Sequence, residues 1–396
     1  MKRIALHVVL CAGLALCAAG HSALAADTVR PEVGKPLQAA QALIKQHKAR
    51  EAMAEIAKAE AVPNRTPYEN QVIAQMKAAA SSAAGDNDAT IKNNMALLDS
   101  GKVPAGETKT LVQGIAVAYY NKKEYAEAAK WTQRYFKEGG NDPSMRQVLL
   151  QSYYLQGECA AVDRAVNENH ASETDLQMIE DCYRRKGDSA GYVKAMEALV
   201  VNYPKKEYWT ILLNNVQKKP GFSDRLGIHV YRLRMATGNF GGTNDYMEMA
   251  QLALQAGYPA EAKSIVDKGY QAGALGTGPE AARHQRLRDL VNKDLAESQK
   301  NRAAAEREAS AAKDGDDLVK IGANYVFEGK PDKGLPMIEA GIRKDGLKRP
   351  DDAKLLLGEL QIQAGQKAKA GQTLREVKGA DGTADLAKLW ALLARA

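Results

Sequence analysis

The chain is 396 residues long, which is enough for two or three compact domains or for one extended repeat domain. Hydrophobic residues make up 45%, yet only four Phe and three Trp accompany abundant Ala, Leu and Tyr. No run alternates between apolar and polar residues as strands do, so we expect an all-helical protein. The formal charge of +7 is a mild excess spread along the chain, which argues against a nucleic acid partner.

The N-terminal stretch has the pattern of a secretory signal peptide. Residues 2–3 are basic, 4–19 are almost wholly apolar, and 23–25 form a small-x-small cleavage site. The apolar run is shorter than the ~20 residues that a membrane-spanning helix needs. The residue before Cys17 is not the small one that a lipoprotein signal requires. We therefore predict a leader over 1–25 and an exported, periplasmic or secreted, mature chain without a transmembrane segment.

Two of the four cysteines, Cys11 and Cys17, fall within the predicted leader. Cys159 and Cys182 remain, and an even pair in an oxidising compartment indicates a disulfide. The alternative is two buried free thiols. Because the chain has no Cys-x-x-Cys motif, the pair does not indicate redox catalysis.

A stretch in the first half of the chain repeats itself. Residues 115–125 match 149–159 in pattern at a shift of 34. The matched pairs are Tyr119 with Tyr153, Tyr120 with Tyr154, Glu124 with Glu158 and Ala128 with Val162. Each copy holds two helix-length runs separated by a polar turn. A repeat of this kind predicts a stacked array of helical hairpins.

When each copy is numbered by this period of 34 residues, the chain resembles the tetratricopeptide repeat family. The family signature places Leu, a small residue and an aromatic in the first helix, Ala in the second helix, and Pro at the end of the copy. Further copies begin near Val33, Gln71, Glu173, Glu207 and Thr243, and the pairs Ile321–Gly322 and Leu357–Gly358 mark two more. The resemblance implies an all-α solenoid, or superhelix, of stacked antiparallel hairpins that acts as a non-catalytic scaffold for protein–protein interaction.

The repeats divide the chain into blocks. We expect degenerate N-terminal repeats over 26–106, central repeats over 107–278, and C-terminal repeats with a capping helix over 315–396. Between them, 279–314 is charged, rich in Ala and strongly helical. Its apolar stripe consists of Leu287, Leu290, Val291 and Leu295. One helix of about 50 Å or a coiled coil would fit this stretch, but we expect an irregular hairpin broken near Asn301.

The repeat numbering gives the two cysteines defined places. Cys159 opens the second helix of the fourth copy, and Cys182 lies near the end of the first helix of the fifth. These helices are antiparallel neighbours in the resembled fold, so the two cysteines are expected to face each other. A bridge there would stabilise adjacent hairpins by about 3 kcal/mol.

Nothing in the sequence indicates catalysis or a cofactor. The histidines beyond the leader are His47, His170, His229 and His284, which we interpret as surface or partly packed residues. None stands at metal-ligand spacing with another His or Cys, and no nucleophile, zinc-protease or phosphate-loop motif occurs. We therefore expect no catalytic residue, no metal site and no enzyme activity.

Partner binding is the better prospect. In the resembled fold, the first helix of each hairpin lines a concave groove, and the matching places hold amide, Tyr and Arg side chains suited to an extended peptide. The candidate residues are Gln113, Tyr120, Asn121, Gln147, Gln151, Tyr154, Arg184, Arg185 and Asn215, with Gln177, Tyr208, Met247 and Gln251 in equivalent places. The alternative is a solvated polar face without a ligand.

The sequence thus predicts an exported scaffold that holds a peptide or protein surface in the bacterial-type cell envelope. An alternative is an accessory subunit that binds an envelope polysaccharide through scattered Lys, Arg and Tyr residues. The carboxylate clamp of tetratricopeptide co-chaperones is not reproduced, since its places hold Gln113 and Val117. The pattern indicates no particular oligomeric state.

Overall fold

The computed structural model describes residues 28–167, 171–344 and 346–395. Regular structure in these ranges is entirely helical, with twenty α-helices and one 3-10 helix. The all-α class predicted from the sequence is confirmed. The predicted leader over 1–25 and its cleavage site, together with His170, lie outside the described residues.

The helices form two compact units, the first ending at Glu158 and the second running from Cys159 to Ala396. This boundary falls inside the block 107–278 that the repeat pattern treats as continuous. The helices of the first unit are α1 (Pro31–Lys45), α2 (Ala49–Glu60), α3 (Pro67–Ala84), α4 (Asn87–Asp99), α5 (Ala105–Asn121), α6 (Tyr125–Lys137) and α7 (Pro143–Gln156).

The second unit holds the other helices in chain order. They are α8 (Cys159–Asn167), α9 (Glu173–Lys186), α10 (Ser189–Asn202), α11 (Lys206–Gln217), a 3-10 helix (Asp224–Leu226), α12 (Gly227–Ala236), α13 (Thr243–Gln255), α14 (Pro259–Gln271), α15 (Ala281–Ala311), α16 (Asp316–Phe327), α17 (Pro331–Ile342), α18 (Pro350–Gln363), α19 (Lys367–Arg375) and α20 (Thr383–Leu393).

Consecutive helices pack as hairpins within each unit. In the first unit, α1 packs on α2, α3 on α4 and α5 on α6, while in the second unit α9 packs on α10, α13 on α14, α16 on α17 and α18 on α19. The first helices of successive hairpins also contact each other: α1 packs on α3, and α5 packs on α7. The predicted arrangement of sequential hairpins is confirmed.

Local sequence explains where the helices begin and end. The Thr66 hydroxyl accepts a hydrogen bond from the backbone N–H of Glu69 at 3.1 Å, and the Glu69 carboxylate accepts one from the N–H of Thr66 at 2.8 Å. This reciprocal capping box starts α3. Gly85 ends the helix at a φ of 70°, a left-handed conformation that favours glycine, and Asp86 then caps α4.

Small residues let the helices of the first unit approach closely. Ala40, Ala52 and Ala59 stand at signature places of the first copy, and all three are fully buried. They pack with Ile56 and with the α3 residue Met76 in one cluster. Because a packed stack buries the apolar stripe of each hairpin against the next, these positions account for the cohesion of the array.

Helices α16 and α17 approach each other closely at two glycines. A methyl group added at Gly334 would stand 2.4 Å from the carbonyl oxygen of Gly322, and one added at Gly322 would stand 2.8 Å from that of Gly334. These carbonyl oxygens belong to the helix backbone, so they cannot move aside as the end of a flexible side chain can. These two positions therefore require glycine, which explains the small residue in the predicted Ile321–Gly322 pair.

The stretch between the central and C-terminal repeats corrects one expectation. The prediction of an irregular hairpin broken near Asn301 is wrong, because α15 is a single helix of 31 residues. At 1.5 Å per residue it is about 46 Å long. It contains neither Gly nor Pro, and its Ala, Glu, Arg and Lys residues favour helix strongly, so Asn301 does not interrupt it.

The last helix of the second unit meets helices far earlier in the chain. In addition to α18 and α19, α20 packs on α10 and α12. Lys388 Nζ lies 2.5 Å from a carboxylate oxygen of Glu197, and Lys219 Nζ lies 2.5 Å from one of Asp385. In a linear stack each repeat contacts only its neighbours. The second unit thus departs from the simple capped array that the sequence predicts.

A buried carboxylate ties the start of α1 to α3. Both oxygens of Glu69 accept hydrogen bonds from the Arg30 guanidinium at 2.8 Å, and the backbone N–H of Arg30 adds a third at 3.0 Å. The Glu69 side chain is fully buried. The side-chain hydrogen bond from Arg30 is the main reason that the pKa of Glu69 falls to about 2.

This carboxylate makes a testable contribution to stability. Because the folded-state pKa of Glu69 lies below its ordinary value of 4.5, its stabilising effect is fully present above about pH 4.5 and is lost as the pH falls toward about 2. We expect Glu69→Gln to lower the free energy of unfolding at pH 7, with the deficit shrinking below pH 4.5. Denaturant unfolding from pH 7 to 3 measures this, with the exposed Glu51→Gln as control. A deficit that stays constant over this range would contradict the assignment.

Candidate functional site

The predicted binding residues of the first unit are joined across neighbouring helices. The Tyr120 hydroxyl on α5 donates a hydrogen bond to Oε1 of Gln151 on α7. Gln113 Nε2 donates to a carboxylate oxygen of Asp142 at 2.9 Å, just before α7. Burial would raise the pKa of Asp142, but hydrogen bonds from Ser144 and Gln113 bring it below its usual value. These residues therefore form an ordered polar face.

The same kind of contact continues toward the N-terminus. Gln75 Nε2 on α3 donates to a carboxylate oxygen of Glu107 on α5 at 2.9 Å. Gln71 Nε2 donates at 2.9 Å to the carbonyl oxygen of Lys102. The sequence analysis did not predict the two α3 glutamines, although each is a glutamine on the first helix of a hairpin, as Gln113 is. We call the side chains of Gln71, Gln75, Gln113, Tyr120 and Gln151 the amide ladder.

The other three predicted residues of the first unit lie on α5 and α7 as well. Asn121 is exposed, and its Nδ2 lies 3.4 Å from Oδ1 of Asn87. Gln147 and Tyr154 on α7 are half-buried. Tyr154 has an interaction of its own within the described residues. The structure therefore places all six first-unit candidates on two contacting helices.

The remaining three candidates belong to the second unit. Arg184 on α9 is exposed and forms ion pairs with Asp181 and Glu180 on the same helix. Arg185 is also exposed and has a partner. Asn215 on α11 is hydrogen-bonded to the Tyr192 hydroxyl on α10, whose pKa is raised mainly by burial. Arg184, which the sequence analysis predicts to contact a partner, is thus already paired with two carboxylates of its own helix.

The ladder pattern recurs in the second unit between α9 and α11. Gln177 Nε2 donates to the Tyr208 hydroxyl at 2.7 Å, and that hydroxyl donates to a Glu173 oxygen at 2.5 Å. Lys205 Nζ lies 2.6 Å from the same carboxylate. Hydrogen bonds from Lys205 and then Tyr208 lower the pKa of Glu173. Amide, phenol and carboxylate groups again join the first helices of successive hairpins.

The two cysteines form a disulfide in the structure. Cys159 begins α8 and Cys182 lies in α9, with their Cα atoms 5.6 Å apart. Both are buried. The bridge closes a segment with a sequence separation of 23 residues and links two helices within the second unit.

A buried charged cluster was missed by the sequence reasoning. Arg232 on α12 makes two hydrogen bonds of 2.7 Å to Glu261 on α14 and one of 3.1 Å to Glu359 on α18. The other oxygen of Glu359 lies 2.8 Å from Nδ1 of His229. Burial disfavours the Arg232 charge, but the two carboxylates outweigh it and raise the Arg232 pKa above its usual value. The cluster joins three helices rather than presenting reactive groups.

Aromatic rings enclose this cluster. The Arg232 guanidinium lies 5.3 Å from the ring centroids of both Tyr258 and Phe327. Burial raises the pKa of Tyr258 to about 12, so its hydroxyl stays neutral near pH 7. His229 is buried, as is His284, whose Nδ1 accepts a hydrogen bond from the Gly276 N–H at 3.1 Å. The interpretation of these two histidines as surface or partly packed residues is wrong.

The described ranges hold neither a metal-binding cluster nor a membrane-spanning helix. There, no group of three or more His, Cys, Asp or Glu residues is arranged to hold a metal ion. Among the helices of the same ranges, none combines the length and apolar character needed to span a bilayer.

No protein-family model matches the chain, and no curated protein matches it. Among solved structures it is similar to the crystal structure of yeast Tom70, with 11% identity and a TM-score of 0.26, covering 91% of this chain and 95% of that one. It is also similar to Naa15/Naa10 bound to HypK-THB, with 13% identity and a TM-score of 0.28.

The second alignment covers 87% of this chain but only 58% of the other, less than two thirds of its length. Both TM-scores lie well below 0.5, so neither similarity supports an argument about function. The hairpin architecture rests on the helices and contacts of this chain.

The buried cluster allows a direct test of its structural role. Replacing Arg232 with Met keeps much of the volume but leaves two buried carboxylates without their cation. We expect Arg232→Met to lower the free energy of unfolding by about 3–5 kcal/mol. Denaturant unfolding followed by circular dichroism measures this. The control Arg307→Met, on the exposed side of α15, should change it by no more than about 0.5 kcal/mol. Equal effects of the two changes would contradict a structural role.

Proposed function

We propose that the protein is a non-catalytic scaffold that binds a peptide segment or protein surface on the amide ladder of the first unit. The observation that supports this most directly is the ordering of the ladder side chains by hydrogen bonds between successive first helices. Side chains that are already ordered lose less conformational entropy when a partner binds.

The ladder also offers the right chemistry for a polypeptide backbone. In its bond to Asp142, Gln113 uses only its NH₂ group, so its carbonyl oxygen can accept a hydrogen bond from a ligand. Gln151 uses its carbonyl oxygen in the bond from Tyr120, so its NH₂ group can donate. A peptide backbone supplies both a donor and an acceptor in each residue. The two glutamines are thus complementary to an extended segment.

The predicted location in the cell envelope forms part of the proposal. It is supported by the leader pattern over 1–25 and by the pairing of Cys159 with Cys182, since disulfides persist in oxidising compartments. N-terminal sequencing of the protein purified from the envelope fraction is expected to begin near Ala26. A protein that keeps Met1, or that stays in the cytosol, would rule out this part of the proposal.

The amide ladder can be tested by a paired substitution. Gln113→Ala together with Gln151→Ala should reduce capture of a protein partner from envelope extract by roughly tenfold or more, because two hydrogen-bonding groups are lost. Helicity by circular dichroism should stay unchanged. The matched control, Lys130→Ala with Gln133→Ala, removes exposed side chains from the second helix α6 and should capture the partner normally.

Two outcomes would reject this site. Equal capture by the ladder variant and the control would place binding elsewhere. Retention of a purified envelope glycan, with no protein recovered in stoichiometric amount, would favour the alternative of a polysaccharide-binding accessory subunit.

A further inference from the structure

Helix α15 stands apart from the hairpin pattern of the second unit. It is a single long helix between the α13–α14 and α16–α17 hairpins, and it packs on α13, α14 and α16. Leu287 and Val291 insert into the core that it shares with α13 and α14. Leu290 lies beside them but is 47% exposed. The apolar stripe of α15 is therefore only partly covered by the unit.

An open groove runs between α13 and α15 at this point. Its cavity of about 330 Å³ has an apolar floor, and its rim carries two arginines from α15. The apolar part of the lining is Met247, Leu254, Leu287 and Leu290, and the polar part is Gln251, Gln255, Arg283 and Arg286. Ligand sites of this kind combine a mainly apolar surface with a few placed polar groups. The volume suits anchoring side chains rather than a folded domain.

The charged residues that line the groove have one sign. No Asp or Glu is among the residues that line it. Arg283 lies 3.6 Å from Glu280, but both side chains are more than half exposed, so this pair is weak. Arg286 is exposed, and no ion pair is found for it within the described ranges. The rim therefore attracts negative charge, while the exposed Leu290 favours an apolar contact.

We infer that this groove binds an acidic peptide segment that inserts a leucine-sized apolar side chain between α13 and α15. The carboxylates of the segment would pair with Arg283 and Arg286, and its anchor would cover Leu290. The inference extends the proposed scaffold role to a second surface with a defined ligand chemistry. It uses no residue of the amide ladder, so the two sites can fail independently.

Three fluorescent synthetic peptides test the chemistry of the ligand against the full chain. The first is an amphipathic peptide of Leu and Glu, the second replaces each Glu with Lys, and the third replaces each Leu with Ser. We expect the Leu–Glu peptide to bind about tenfold or more tightly than either of the others, as measured by fluorescence anisotropy. Its affinity should fall as NaCl rises from about 50 to 500 mM, because the rim charges are exposed.

Substitutions then locate the site. Leu290→Ser should weaken binding of the Leu–Glu peptide roughly tenfold, and Arg283→Glu with Arg286→Glu should nearly abolish it. Leu155→Ser removes the other large exposed apolar side chain of the described residues, which is 43% exposed, and serves as the matched apolar control. Lys293→Glu with Lys300→Glu makes the same charge change elsewhere on α15. Both controls should bind normally.

The inference is overturned if the Leu–Glu peptide does not bind, if the Leu–Lys peptide binds equally well, or if the groove variants behave as their controls do. It is also overturned if the unchanged chain is a dimer that Leu290→Ser converts to a monomer, since a second copy would then cover the groove. Binding of the Leu–Glu peptide to the variant with Gln113→Ala and Gln151→Ala should be unchanged. That result separates this groove from the proposed site on the amide ladder.

Discussion

The structure depends on close contact between helices at small side chains. No single hairpin can bury its own apolar stripe, so each must find the next one, and bulky side chains at the contact would keep the two backbones apart. Buried alanines meet this need in the first unit, as at Ala40 and Ala52. In the second unit the requirement is stricter still, because Gly322 and Gly334 bring carbonyl oxygens within contact of the opposite helix.

Nearest-neighbour packing does not account for the whole second unit. Arg232 joins α12 to α14 and α18, and α20 packs on α10 and α12. A buried ion pair is a poor source of net stability, because the cost of removing charges from water offsets much of their attraction. Its stronger effect is on which helices can meet, since any arrangement that separates Arg232 from Glu261 and Glu359 leaves a buried charge unpaired. The cluster therefore favours one closed arrangement over an open stack.

The sequence predicted the features that depend on residues close together in the chain. It missed those that depend on contacts between residues far apart in the chain. Signature residues such as Ala52 repeat along the chain, so local pattern alone predicted the all-α class and the sequential hairpins. The buried His229 pairs with Glu359, 130 residues away, and no local pattern indicates such a pairing. The prediction of a break near Asn301 was wrong for a different reason. The repeat period favoured two short helices there, but the residues of the stretch have a strong propensity for one continuous helix.

Regular and irregular parts of the array present different surfaces for a physical reason. Where hairpins follow one another, each first helix has a neighbour at a fixed offset, so Gln113 or Tyr120 can bond to the next helix and the exposed face becomes polar and ordered. At α15 the repeat is interrupted, and a single helix has no second helix of its own to cover its stripe. Leu290 is then left at the surface beside Arg283 and Arg286. The interruption of the repeat is thus what creates an apolar, basic groove in an otherwise polar series of helices.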